Sequence, residues 1–318
     1  MATHGSGLEL ALLVPSGAKG LDRVDPQVQV LKYGAGGGRL NPFLWREVAK
    51  LIRSFRPDLV HTHFAKATAI YRQVHRWTRI PYVATKHNPR RGAAYRKVPH
   101  VIAVSEAVRD SIPHNRVRVI YNGLVPDETV TPVRRTGPRP LQILNVGRLE
   151  PVKGQDRLIE ALAACGADWH LTILGEGPYR ANLEKLAAGL GVGERVALPG
   201  YRADAPAAMA ACDVFIQASH SEGFGVALLE AMHYAPLAVS TPVGLAAEVF
   251  PDWLCWDPGD ANSLGEILKE ADSLAERFEV WAREIRPRFH LDSCVREHTG
   301  FYREIAVPPR RPDGDGGS

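Results

Sequence analysis

The chain has 318 residues, which is long for one domain and suits two. With 45% apolar and 23% charged residues and 29 glycines, it has an ordinary globular composition rather than a fibrous or disordered one. The net charge of +4 hides an asymmetry: residues 46–118 hold 16 Lys or Arg against 4 Asp or Glu, a net of +12 that leaves −8 for the rest. Such a half is expected to face something anionic, with a merely solvated basic surface as the alternative.

The chain opens on "MATHGSGLELALLVPSGAKG", whose short apolar run is interrupted by Glu9 and has no basic leader. It reads as a strand rather than a secretion signal. The longest uncharged stretch, Ala231 to Ala247, contains Pro236 and Pro242, so no segment reaches membrane-spanning length. Four scattered cysteines without a C-x-x-C point to buried thiols in a reducing cytoplasm.

Short apolar runs in the first half predict strands at "LELALLV", "VQVLKY", "PDLVHTH", "PYVATKH", "HVIAVS" and "RVRVIYN". The clearest helix opens on Asn41 as N-cap with Pro42 in its first turn and runs through Phe55. After the first strand only "LDRVDPQ" precedes the second, which leaves too little chain for a crossover helix. Residues 125–140 are proline-rich and read as a linker.

From Leu141 the pattern repeats with strands at "LQILNVG", "WHLTILG", "RVALPG", "DVFIQAS" and "PLAVST", and a weaker one at "WLCWD". Between them lie helices such as "YRANLEKLAAGLG", where Leu183, Leu186, Ala187 and Leu190 share a face and Gly191 ends the helix. Near-continuous apolar strands alternating with helices predict α/β architecture with parallel sheets, here two doubly wound Rossmann-like lobes. The expected division is a first lobe over 1–124, the linker, a second lobe over 141–290, a final helix over 291–306 crossing back, and a disordered tail over 307–318.

The chemistry concentrates in "HSEGFGVALLEAM", His220 to Met232. Glu222 and Glu230 stand around a Gly-Phe-Gly turn where a strand gives way to a helix, up to ~12 Å apart at 1.5 Å rise per residue. Carboxylates at such a place suit paired sugar hydroxyls, and the helix start suits a phosphate. A helix with one N-terminal and one surface glutamate is the plainer reading. Two histidines at the end of one strand, His61 and His63, share a face but do not make a metal site without a third ligand. "YGAGGGRLNP" carries Arg39 where a dinucleotide loop needs glycine, and the "DGD" of Asp313 to Asp315 lies in the tail.

"HSEGFGVALLEAM" resembles the E-x7-E signature of retaining glycosyltransferases of the GT-B type, family 4. "VIYNGL", "NVGRLEPVKGQDRLIEAL", "LTILGEGPYRANLEKLA" and "VALPGYRADAPAAMAACDVFIQAS" match that family's stretches in the same order, over residues 57 to 306. The resemblance implies that Arg148 and Lys153, after Gly147, hold the donor diphosphate, whose growing charge fixed cations stabilise. It places Glu222 on the donor sugar, Glu230 on the ribose, and the backbone of Gly223, Phe224 and Gly225 along phosphate and sugar. Gly175, Tyr201 and Arg202 fall at the nucleobase, and His87 comes from the first lobe toward the anomeric carbon. No metal or other cofactor is implied.

The resemblance also implies another strand, a glycine-rich turn and a helix before "LELALLV", so that the first lobe as given lacks its first strand and helix. Either the start lies upstream of Met1 or the first lobe is rearranged. Ala235 stands where the family has Gly, and "VGLAAE" replaces a Gly-Gly before Glu248. The resulting expectation is a cytoplasmic, metal-independent, retaining transferase for a nucleotide-sugar donor and a saccharide or lipid-linked acceptor. The basic 46–118 region would face an anionic acceptor or membrane surface rather than nucleic acid, for which no binding module is present. An epimerase or hydrolase of the same fold, or a donor-binding protein without activity, are the alternatives.

Overall fold

The computed structural model describes residues 7–34, 38–114, 116–135, 137, 139–260 and 262–306. The chain forms two compact units: one runs up to Val104, with Val108–Ile120 and the chain from Cys294, and the other holds Ser105–Ala107 and Tyr121–Ser293.

In the first unit, β1 (Ala11–Pro15) pairs parallel with β2 (Gln29–Tyr33). Only a 3-10 turn, Leu21–Arg23, lies between them, as the short connection requires. The strands β3 (Val60–His63), β4 (Tyr82–Lys86), β5 (His100–Ala103) and β6 (Val117–Val119) form a separate parallel ladder in that order. Among the described residues no strand joins the two ladders, and both are parallel, as the expected Rossmann-like lobe requires. The family's extra strand and turn would precede residue 7, and they, the tail over 307–318 and positions 35–37 of the glycine-rich loop lie outside the described residues.

Helix α1 (Pro42–Phe55) forms where its cap predicts, with Asn41 Oδ1 accepting from the Phe43 N–H at 3.0 Å. It buries Leu44, Val48, Ala49 and Ile52 along one stripe and stops at Arg56, which turns left-handed. Helix α2 (Phe64–Thr78) follows β3, and the short α3 (Glu106–Asp110) follows β5. Val83, Ile102 and Ile120 of the sheet pack against Phe301, so the final helix completes this core.

The second unit is a five-stranded parallel sheet in the order β11-β10-β7-β8-β9. Its strands are β7 (Leu141–Val146), β8 (Trp169–Leu174), β9 (Val196–Gly200), β10 (Val214–Gln217) and β11 (Ala238–Ser240). They alternate with α4 (Gln155–Ala164), α5 (Arg180–Gly189), α6 (Ala205–Ala211) and α7 (Val226–Tyr234). Then come α8 (Ala246–Val249), α9 (Ser263–Lys269), α10 (Ala271–Ile285) and α11 (Leu291–Ile305), the last entering the first unit from Cys294.

Four local expectations change. Leu190 does not join the buried face of α5: the helix ends at Gly189, and Leu190 lies exposed beside Gly191, whose φ of +71° takes the chain away. "WLCWD" is a 3-10 turn with a single bridge from Ser240 to Cys255 rather than a strand. Cys212 is buried, but Cys165, Cys255 and Cys294 are only partly so. The 125–140 segment does not hang free, since the Val133 N–H donates to Ala210 O at 2.8 Å and Arg135 Nη1 to Ala211 O at 2.9 Å.

Candidate active site

Two loops at the carboxyl ends of β7 and β10 meet in the second unit, and glycine lets them do so. Gly154 has φ +61°, and a Cβ there would stand 2.1 Å from Ala218 O. The His220 N–H donates to Val152 O at 2.9 Å, tying the same two loops together. This close approach carries Lys153, at the end of a 3-10 turn before α4, to the turn that precedes α7. Lys153 Nζ lies 2.6 Å from Glu222 Oε1, and the Ser219 hydroxyl donates to that same oxygen at 2.6 Å. Both charged side chains are largely removed from solvent.

The pair closes one side of a polar recess lined also by Asn145, Gln155, Gln217 and Gly225. Gly225, with φ +101°, caps α7, and its own side faces Gln217. The first N–H groups of a helix have no partner within it, so the recess meets a positive helix end. Gln155 is wholly buried; its Nε2 donates to Arg148 O at 3.1 Å, while its Oε1 has no partner among the described residues. Such a group is costly unless a ligand or water satisfies it. Sequence reasoning missed Asn145 and Gln217 in strands, Gln155 at the start of α4 and Ser219 in a loop, because a lone amide or hydroxyl carries no spacing signal of its own.

Glu230 sits half-buried on α7 with no hydrogen bond or ion pair among the described residues, and burial pushes its carboxyl above the usual range. Arg148 points to the surface and pairs with Glu150 instead of joining Lys153. Gly147 lies beside the Lys153 side chain, and Gly175 is fixed by its backbone: at φ +152° a Cβ would stand 1.9 Å from Gly147 O. Gly223 lies in the turn between Glu222 and Phe224. Phe224 turns its ring into the core against Tyr121 and Phe289, leaving only its backbone to serve the loop. Tyr201 is 68% exposed, and Arg202 forks onto Asp204.

The first unit holds a histidine cluster. His63 Nδ1 lies 3.1 Å from His87 Nε2, and the rings stack at 5.3 Å. His61 places Nδ1 2.6 Å from Tyr302 Oη and Nε2 2.6 Å from Thr85 Oγ1, with His298 at 5.9 Å between ring centres. Burial holds His61 well below the ordinary imidazole range and, with His87 beside it, lowers His63 to about 4; burial also lowers His87 and His298. Phe64 follows His63 with φ +65°, a conformation costly for a bulky residue, and rests its ring 4.5 Å from His87. Among the described residues no three His, Cys, Asp or Glu side chains are grouped to hold a metal ion.

Residues 2–128 match the family described as Glycosyltransferase Family 4, and residues 130–286 match Glycosyl transferases group 1. This chain belongs to the GT-B glycosyltransferases of the group 1 and family 4 type. Among relatives of this GT-B chain, the lipopolysaccharide core biosynthesis glycosyltransferase LpsE of Rhizobium meliloti is 32% identical over 55% of this chain and 50% of its own. A GDP-mannose-dependent phosphatidylinositol dimannoside mannosyltransferase of Mycobacterium tuberculosis is 33% identical over 54% and 43%. The chain thus spans about half the length of these curated relatives. The Anabaena protein HepE, solved with UDP, superposes with a TM-score of 0.77 over 94% of this chain and 100% of its own, at 21% identity. That likeness establishes the GT-B fold.

Proposed function

We propose that this chain is a retaining, metal-independent glycosyltransferase that takes a nucleotide-sugar in its second unit. The observation that carries this reading is the Lys153–Glu222 pair, held at 2.6 Å beside the start of α7, with a Gln155 Oε1 in the same recess that has no partner among the described residues. The relatives' names, which include lipopolysaccharide core, phosphatidylinositol dimannoside and diphospho-undecaprenol glycan synthesis, support a saccharide or lipid-linked acceptor of the cell envelope. The solved relatives with UDP, and with UDP and glucose, support a nucleotide-sugar donor.

In this reading Lys153 turns from Glu222 to the donor diphosphate, and Arg148 exchanges Glu150 for a phosphate oxygen. As the bond from anomeric carbon to phosphate oxygen breaks, these cations stabilise the departing charge. Glu222, released from Lys153, accepts from donor-sugar hydroxyls, and Glu230 from the ribose pair. The acceptor oxygen bonds to the anomeric carbon from the face the phosphate leaves, and its proton passes to the phosphate. The nucleoside diphosphate is the other product, and His87 is assigned to the sugar on the resemblance alone. No helix of the described residues is long and apolar enough to cross a membrane. We place the enzyme in the cytoplasm, peripheral on the inner face of the membrane through its basic region.

A donor-consumption assay with UDP- and GDP-sugars tests this. Glu222→Ala and Lys153→Ala should each lower turnover by about 10²-fold or more with the fold intact, as loss of one fixed stabilising group does. Turnover at the wild-type rate in either variant refutes the assignment. Release of free sugar or an epimer at full rate without acceptor moves the reading to a hydrolase or epimerase.

A further inference from the structure

Helix α1 buries Leu44, Val48, Ala49 and Ile52 and turns a second face outward. One side of that outer face carries Phe43, Arg46, Lys50 and Arg53, which recur at the three- and four-residue spacing of a single helical stripe. Phe43, in the first turn, and Leu40, just before the helix, are each 73% exposed, an unusual display for two large apolar side chains three positions apart. The stripe has no acid: Glu47, the one acid of α1, is partly buried and accepts from the Gly34 N–H at 2.8 Å. Trp77, near the end of α2, extends the face, since it meets Trp45 edge-on at 6.5 Å and its carbonyl accepts from Arg53 Nη2 at 3.0 Å. Between Arg46 and Arg79 the sequence holds eight Lys or Arg and two acids, and α2 has no acid at all.

We propose that this face of α1 docks on an anionic lipid surface, with Leu40 and Phe43 entering the headgroup boundary and Arg46, Lys50 and Arg53 meeting lipid phosphates. The inference narrows the anionic-surface reading above to one helix face and is independent of the donor chemistry. The physical argument is the coincidence of two signals. A basic stripe alone serves any polyanion, whereas exposed aliphatic and phenyl side chains at its head have nothing to gain from a phosphodiester backbone. An amphipathic helix lying in the interface gains from both, each cation near an anionic surface adding to the binding and each buried apolar group adding to it again. Trp77 sits at the edge of the face, where an amphipathic ring suits the headgroup level.

The test is co-sedimentation of the full chain, without donor or acceptor, on phosphatidylcholine vesicles with and without phosphatidylglycerol, at low and high salt. Wild type should pellet with the anionic vesicles at low salt, stay free of the neutral ones, and release as salt rises. Leu40→Ser with Phe43→Ser, and separately Arg46→Gln with Lys50→Gln, should each weaken binding by more than about tenfold. All four side chains are exposed, on α1 or just before it, so unchanged melting temperatures should accompany the loss. Equal binding to neutral and anionic vesicles, binding indifferent to both variants, or tighter capture by duplex DNA that ignores the Leu40 and Phe43 change overturns the proposal. Because no sugar transfer is measured, failure here leaves the active-site assignment standing, and failure of that assignment leaves this result readable.

Discussion

His63 Nδ1 and His87 Nε2 face each other at 3.1 Å, so one ring must donate and the other accept. Two protonated imidazoles would both donate, and the contact would break. His61 differs, because its partners Tyr302 and Thr85 are hydroxyls that can accept as well as donate.

These histidines set a pH dependence. His61, His63, His87 and His298 are all held below their ordinary range when folded, so the unfolded chain binds more protons as acid is added. Their contribution is complete above about pH 6.5, falls as pH drops toward about 4, where His63 itself titrates, and does not return below that. Melting temperature should therefore fall steeply between pH 6.5 and 4.5. The hydroxyls facing the cluster, Thr85 and Tyr302, carry no charge in that window and do not offset it. His61→Gln should flatten the curve; an identical slope in that variant removes the cluster as its cause.

Gly175 is a backbone requirement. At φ +152°, with a Cβ 1.9 Å from Gly147 O, any side chain forces β8's exit loop off the loop that bears Lys153. Gly175→Ala should cost on the order of 3 kcal/mol or more, well above a typical substitution. Gly189→Ala is the control, because nothing lies within 4 Å of its added carbon. Chemical denaturation of both variants decides the point.

Glu230 sets function against stability. Its carboxyl is raised by burial, so it destabilises the folded chain increasingly as pH rises through the unfolded and then the folded value. Glu230→Gln keeps the shape and removes the charge. At pH 7 it should raise the melting temperature slightly while weakening binding of a uridine or guanosine diphosphate by about tenfold. A variant that binds as tightly as wild type removes the ribose assignment.

Gln155 tests the recess from its floor. Gln155→Glu keeps an oxygen at the Oε1 position but loses the donor to Arg148 O, and it brings a second carboxylate beside Glu222 and the donor phosphates. The melting-temperature gain produced by saturating nucleotide-sugar should shrink in this variant, by the equivalent of about tenfold weaker binding or more. An unchanged ligand-induced gain places the donor elsewhere.

Much of this fold was legible because the signals were local. Asn41 and Pro42 announced α1, and the buried strands read directly from "VATK" and "VFIQ". Glu222 and Glu230 stood out because they flank one turn. What escaped depends on distant meetings: Lys153 and Glu222 are 69 positions apart, and Tyr302 reaches His61 across 241. Arg148 was legible as a cation but not as a partner of Glu150, since a two-residue spacing does not say which way a loop points. The two ladders of the first unit follow from strand pairing, which apolar runs alone do not reveal.

Amide hydrogen exchange with and without a nucleotide-sugar tests the central claim most directly. If the Lys153–Glu222 recess grips the donor, the amides of residues 153–155 and 222–227 should slow together on addition of the UDP- or GDP-sugar that is consumed. Protection confined to other segments, with these amides exchanging as before, would contradict the account.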